Sequence, residues 1–305
     1  MTSSTAILAA TDLSAPARHA VERATRLAAQ TGGQLHILHA MELDALDSLK
    51  ELLGMNLTAT KKTLESDAHE RLVQLAAGLA GVSGSTAHTR VVSGTALATV
   101  SREADALDAG ILVLGARGES LLRHTMLGST AERLLRTSLR RPVLVVKQAP
   151  RADYQRALIA VDFSPVASAI IEATQRWAPT ADIVLLHAFQ LPYEGMLWRA
   201  GIEKKEIEQL IDSEVQNRRK RLYQLASSAG LQPADYAIQV VHGDPSQHLI
   251  AMEKKLDADL IVLGKHGTHI AEELLLGSVT KHVLVEAQSD VLVICDPRPG
   301  LPDLP

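Results

Sequence analysis

Three glycines and a hydroxyl recur twice in this chain at the same spacing. Residues 114–130 read LGARGESLLRHTMLGST and residues 263–280 read LGKHGTHIAEELLLGSVT. Gly115, Gly118 and Gly128 map onto Gly264, Gly267 and Gly277 at a constant offset of 149. Each set ends in a serine, Ser129 or Ser278, followed by Thr130 or Val279. Glycine lets a backbone approach a phosphate chain closely, because a Cβ would collide or forbid the turn. The N–H groups and positive dipole end of a helix start favour an anion. The chemistry implied is phosphate cradling by neutral donors, with little fixed positive charge. An acid precedes each set at the end of an apolar run, Asp12 in ILAATD and Asp162 in LIAVD.

These coincidences belong to an internal repeat, the sequence mark of duplicated architecture. ILAATDLS (residues 7–14) faces LIAVDFS (158–164), and LHILHA (35–40) faces IVLLHA (183–188). RVVSGTA (90–96) faces VVHGDP (240–245), and RPVLVVK (141–147) faces DVLVICD (290–296). Blocks in one order mean two copies of one domain, residues 1–149 and 150–305. The seam QAPRADYQ (148–155) is polar and carries a proline. Within each copy, continuous apolar runs of four to seven residues suit strands buried on both faces of a parallel sheet. Amphipathic stretches separate them. Leu64, Ala68, Leu72 and Leu75 share one helical face, as do Ile207, Ile211, Val215, Leu222 and Leu225. The alternating period predicts an α/β fold of two tandem doubly wound five-stranded parallel-sheet domains. In such sheets ligands bind outside the carboxyl ends of the strands, where the doubled residues fall. Ser14 and Ser164 are placed to cap the helices that follow the acids.

Composition excludes several functions. Apolar residues make up 46% and charged residues 22% of 305, ordinary for a globular protein with a proper core. A net charge of −4 gives no reason to expect nucleic acid or a membrane surface, and 3% aromatics leave little for base-stacking platforms. The single cysteine, Cys295, rules out an intrachain disulfide and suits a reducing cytoplasm. The opening MTSSTAILAATDLS has no basic n-region and does not read as a signal peptide. The 12 histidines show no H-E-x-x-H or comparable spacing, so no protein-only metal site is expected. No Walker A motif is present, since GKHGTH does not fit one, and no catalytic residue is assigned.

The spacing G-x2-G-x9-G-[ST], downstream of a first-strand Asp, resembles the nucleotide-binding members of the universal stress protein family. The resemblance covers essentially the whole chain, once per half. It implies an adenine-nucleotide alpha hydrolase-like fold and an adenine nucleotide ligand, ATP, with Mg²⁺ left open. It implies base and ribose contacts at Asp12 and Ala40, and at Asp162 and Ala188. Ribose and phosphates would meet Gly115, Gly118, Gly128, Ser129 and Thr130 in one half, and Gly264, Gly267, Gly277, Ser278 and Val279 in the other. The function implied is a stress-response or signalling module. A slow ATPase or adenylyl-transfer enzyme on the same fold stays open as the alternative.

His39 and His187, at strand ends, read as hydrogen-bonded core residues rather than catalysts. Arg117, Arg123 and Lys265 are open to two readings, phosphate contact or solvated loop charge, and Glu272 and Glu273 read as an exposed helical face. Residues 42–60 and 190–204 differ most between halves and are expected to form flaps, since loops carry specificity. The charge of residues 116–127 is formally +1 and that of 265–276 formally −1. Both motifs are complete, so two sites of unequal affinity are expected. Charge favours the first half, whereas Gly243-Asp244-Pro245 favours the second.

The last run of each half, PVLVVK or DVLVIC, is apolar throughout, and an open edge of that kind invites aggregation. The resemblance implies that these strands pair within the chain as a pseudo-twofold intramolecular dimer, with a further homodimer left open. Single cysteines placed in residues 143–146 and 291–294 of a Cys295→Ser chain should therefore cross-link within monomers. Failure of every pair in that scan would refute the pairing.

Overall fold

The computed structural model describes residues 5–43, 58–83, 87–118, 127–137, 141–267 and 276–295. The chain divides into two compact units, Met1–Asp153 and Tyr154–Pro305. The division falls inside the polar seam and slightly later than the repeat alone suggests. The seam is fastened to the first unit: Arg23 donates to the Ala152 carbonyl at 2.8 Å, and Arg26 pairs with Asp153 at 3.7 Å.

The first unit contains strands β1 (Ala6–Ala10), β2 (Gln34–Met41), β3 (His88–Ser93), β4 (Ile111–Gly115) and β5 (Val143–Val146). Its helices are α1 (Ala15–Thr31), α2 (Thr58–Ser83), α3 (Ala96–Ala106) and α4 (Ser129–Thr137). All strand pairs are parallel, in the order β3-β2-β1-β4-β5. The second unit repeats this with β6 (Arg156–Ala160), β7 (Asp182–Phe189), β8 (Tyr236–His242), β9 (Leu260–Gly264) and β10 (Asp290–Ile294). Its helices are α5 (Ala167–Trp177), α6 (Glu194–Arg199), α7 (Lys204–Ser228), α8 (Pro245–Leu256) and α9 (Ser278–Glu286). The order is β8-β7-β6-β9-β10, again parallel. Each unit is thus the doubly wound five-stranded sheet expected, with the strand order reversing beside its first strand.

The strands are continuous apolar runs because both faces are covered. VLVV of β5 and DVLVI of β10 are buried at every position. Right-handed crossovers put the helices that follow the first two strands on one face and those that precede and follow the fourth on the other. Accordingly α1 packs with α2 and α3 with α4 in the first unit; α5 packs with α7 and α8 with α9 in the second. Ser14 caps α1, its hydroxyl accepting the Ala17 N–H at 3.3 Å, and Gly32 ends that helix at φ 65. Ser164 does not cap: α5 starts after Val166, and the Ser164 hydroxyl is buried without a partner among the described residues.

In α2, Ala68 and Leu72 are buried as the spacing requires, but Leu64 is 39% exposed. A helix of 26 residues runs about 39 Å. The six-residue β3 beneath spans about 20 Å. The first turns overhang the sheet, so the face is apolar where α2 has something to cover. In α7, Ile207 and Leu222 are buried, while Ile211, Val215 and Leu225 are half-buried. Both tryptophans lie in the second unit: Trp177 is 2% exposed at the end of α5, and Trp198 is 47% exposed in α6. No helix among the described residues is long and apolar enough to cross a membrane.

One histidine per unit fastens the second strand to the first at its carboxyl end. The imidazole Nδ1 of His39 lies 2.8 Å from the Thr11 carbonyl oxygen, and that of His187 lies 2.6 Å from the Val161 carbonyl oxygen. In each case Nδ1–H donates to the carbonyl of the residue just before the acid that ends the first strand's run, Asp12 or Asp162, so both histidines are structural fasteners. Burial holds the His187 pKa below its ordinary 6.5, and the nearby Arg218 and Arg221 add to that effect. A depressed histidine pKa contributes stability that is present in full above pH 6.5 and lost as the pH falls from there through the lowered value. Relative to His187→Asn, the wild type should therefore lose stability between neutral and mildly acidic pH. Calorimetric melting of both proteins across that range checks the sign.

Candidate functional site

Each acid sits in the first turn beyond its strand. Asp12 Oδ1 accepts the Ser14 N–H at 3.0 Å, and Asp162 Oδ1 accepts the Ser164 N–H at 2.9 Å. The intervening residues, Leu13 at φ 65 and Phe163 at φ 57, are left-handed, a conformation uncommon for side chains of this bulk. The turn aims the other carboxylate oxygen across the sheet toward the loop that leaves the fourth strand. A Cβ on Gly118 would lie 2.6 Å from Asp12 Oδ2, and one on Gly267 would lie 3.3 Å from Asp162 Oδ2. The acid and the second glycine of each motif are therefore in contact.

The third glycine starts the next helix against the same loop. Gly128 N–H donates to the Ala116 carbonyl at 2.8 Å, and Gly277 N–H donates to the Lys265 carbonyl at 2.9 Å. Ala116 N–H in turn donates to Val146 at 2.8 Å, and Lys265 N–H to Ile294 at 2.8 Å. The loop is thus stapled between the fourth strand, the fifth strand and the helix start. A Cβ on Gly128 or Gly277 would stand 3.3 Å from the carbonyl it bonds. Gly115 and Gly264 face backbone just as closely, with Arg117 and His266 carbonyls at 3.2 and 3.1 Å from a Cβ. The glycines thus also serve the loop's own tight packing, a role the spacing did not reveal. Because the Gly128 and Gly277 N–H groups are committed, the donors open to an anion begin at Ser129 and Ser278. The first N–H groups of a helix lack acceptors within it.

In the first unit all seven expected residues, Asp12, Ala40, Gly115, Gly118, Gly128, Ser129 and Thr130, line one cleft. It also includes residues that the motif did not mark: Thr11, Leu38, Ala96, Val100, Arg117 and Leu134 are among its walls. Leu38, Ala96, Val100 and Leu134 are ordinary core types that only the strand order brings here, whereas Arg117 belongs to the glycine loop itself. Arg117 is half-buried at the cleft. The cleft encloses about 170 Å³. Sites that bury a whole drug-sized ligand begin near ~300 Å³, so a nucleotide would lie partly in the open. In the second unit Asp162, Gly264, Gly267, Gly277 and Ser278 stand in the same relation, Ala188 pairs with Val241 in register, and Val279 is half-buried in the first turn of α9. Lys265, open to two readings in the sequence, is 2% exposed and is no solvated charge. Arg123, Glu272, Glu273 and residues 44–57 of the first flap lie outside the described residues, as does most of the loop charge. Residues 190–204, expected as the second flap, contain α6, tied by a 3.0 Å contact between Glu194 and His242.

Two helix starts, those of α3 at Ala96 and α4 at Ser129, border the first unit's cleft, and α8 and α9 hold the corresponding places in the second unit; the two starts differ electrostatically. The start of α3 is met by Glu42, whose Oε1 accepts the Ala96 N–H at 3.3 Å. The start of α8 is capped by Asp244, which accepts the Gln247 N–H at 3.0 Å. Bonds from Ser246 and Gln247 hold the Asp244 carboxyl below its usual range. A carboxylate thus occupies one start in each unit. At the other, the N-cap of α9 is Gly277, with no side chain to cap it.

Comparison with known proteins agrees with this geometry. The model of the universal stress protein family matches residues 4–147 and again residues 153–294. A universal stress protein of Mycobacterium tuberculosis is 28% identical over 262 residues, covering 80% of this chain and 73% of that protein. One from Methanocaldococcus jannaschii is 24% identical over 156 residues, 46% of this chain and 94% of its own length. Among solved structures, a universal stress protein of Archaeoglobus fulgidus aligns with a TM-score of 0.65 at 19% identity, covering 96% of this chain and 98% of that one. The chain belongs to the universal stress protein family and carries two copies of the family's domain in tandem.

Proposed function

We propose that each unit binds an adenine nucleotide across the carboxyl ends of its strands, as a stress-response or signalling module. The observation that carries this reading is the arrangement at the cleft. A carboxylate, Asp12, lies against Gly118, and Ser129 and Thr130 at the start of α4 line the same cleft. A carboxylate accepts hydrogen bonds and repels phosphate, so it suits amino or hydroxyl groups of the nucleoside. Helix N–H groups from Ser129 onward suit the phosphates. Asp162 and the start of α9 offer the same groups in the second unit. The cradle of closely packed glycines fits the polyphosphate of ATP, whose Mg²⁺ would be held by phosphate oxygens and water. Among the described residues no three His, Cys, Asp or Glu side chains gather to hold a metal by themselves. Cys295, the chain's one cysteine, is buried as a thiol, in keeping with a cytoplasmic location.

Nucleotide released from freshly purified, heat-denatured protein tests the reading directly, and release of none would overturn it. Multiple-turnover phosphate release separates a binding module from a slow ATPase. Calorimetric titration of stripped protein should give two adenylate sites per chain.

The glycine geometry predicts an asymmetry between the sites. Gly118→Ala puts a methyl group where Asp12 Oδ2 stands, so affinity at the first site should drop about tenfold, a change of ~1.4 kcal/mol. Gly267→Ala meets Asp162 at 3.3 Å, a contact that yields by a few tenths of an ångström. Its effect should stay within about threefold. Equal losses in the two variants would show that these glycines do not set the acid.

A further inference from the structure

Asp12 and Asp162 occupy the same place in their turns, yet the turns are held by different means. In the first unit the hold is local, because the Thr11 hydroxyl accepts the Leu13 N–H at 3.0 Å. In the second, Val161 stands in place of Thr11 and offers no hydroxyl. Phe163 is held through its ring instead. The Arg221 guanidinium lies 4.0 Å over that ring, and the His187 ring packs against it with centres 4.5 Å apart. His187 also bonds the Val161 carbonyl, so both neighbours of Asp162 are fastened by one cluster. The cluster continues through Phe189, stacked parallel to His187 and covered by Arg218 at 4.1 Å. Side chains alternate across a strand. The cluster therefore lies on the α5/α7 face of the sheet, opposite to Ala188.

The sequence explains why α2 makes no such cluster. RLVQLA (residues 71–76) in α2 matches RLYQLA (221–226) in α7, and Leu72 and Leu222 are both 0% exposed. Arg71 is thus the counterpart of Arg221. Four residues before Arg71 stands Asp67, which pairs with it at 3.8 Å on the exposed surface. In α7 that place is taken by Asn217, and Leu13 is replaced by Phe163. The second arginine loses a carboxylate partner and gains an aromatic face, whose quadrupole attracts a guanidinium.

We infer that Arg221 is a positioning residue for Asp162, coupling the ligand-facing turn of the second unit to α7, whereas the matching turn of the first unit is independent of α2. The inference rests on the proposed nucleotide reading of the clefts. Changes in α7 then alter adenylate binding in the second unit alone.

Two readouts on the full chain test it. In ligand-free protein, Arg221→Ala and Asn217→Asp should each speed amide exchange at the Ser164 N–H by about fivefold, ~1 kcal/mol of opening free energy. Arg71→Ala should leave the Ser14 N–H unchanged. ATP titration of an Asp12→Ala chain reads the second site, and there Arg221→Ala should weaken binding by about fivefold. Adding Val161→Thr to Arg221→Ala supplies the hydroxyl that the first unit uses, and should restore affinity to within about twofold. Unchanged exchange and affinity in both α7 variants would overturn the inference. So would a loss that Val161→Thr does not rescue, because Arg221 would then be a packing residue only. If no chain binds ATP, wild type included, the nucleotide reading falls while the exchange rates still decide the coupling.

Discussion

The whole site depends on a constraint of chain handedness. In each unit the crossover from the first strand to the second runs on one face of the sheet, and the crossover from the fourth to the fifth runs on the other. The loops beyond β1 and β4 must part, and no side chain has to be carved away to leave a gap between them. What the residues add is closeness. The 2.8 and 2.9 Å bonds from Gly128 and Gly277 draw a helix start back onto the loop it left, and a Cβ at either position would press on the bonded carbonyl at 3.3 Å. The acids at the ends of β1 and β6 then face that helix start across the gap.

Much of this was legible in the sequence because it is periodic or doubled. Strands such as ILVLG and VLVV are buried on both faces and therefore read as unbroken apolar runs. The repeat offset locates the glycines without any knowledge of the fold. What stayed hidden depends on strand order and on neighbours far apart in the chain. Ala96, Val100 and Leu134 carry no chemical mark, and they reach the cleft only because β1 lies between β2 and β4. The glycines were legible as glycines, but the close carbonyls that demand them were not. Ser14 and Ser164 look alike in sequence, yet only Ser14 caps its helix. Leu64 fits the apolar stripe and still faces solvent, because the stripe outlasts the sheet beneath it.

The two units show how a duplicated domain keeps a geometry while replacing its supports. His39 and His187 survive as the same fastener. Thr11 and Val161 do not, and the hydroxyl bond of one unit gives way to a stack of rings and guanidinium groups in the other. At the helix that follows the third strand of each unit, the N-terminal carboxylate is present in both while its source moves from Glu42, distant in sequence, to Asp244, the cap residue itself. Selection on such a site acts on where an atom stands, and several residues can put it there.

The placement of the tryptophans has a practical meaning for optical work. The chain contains two, Trp177 and Trp198, and both belong to the second unit. Light absorbed selectively by indole is therefore re-emitted by one half of the molecule only. Trp177, enclosed at the end of α5 with the Arg176 guanidinium 5.2 Å over its ring, emits shielded from water, whereas Trp198 emits from contact with water. The native chain thus carries its own spectrally split dye on a single copy of the repeat, and the other copy is dark.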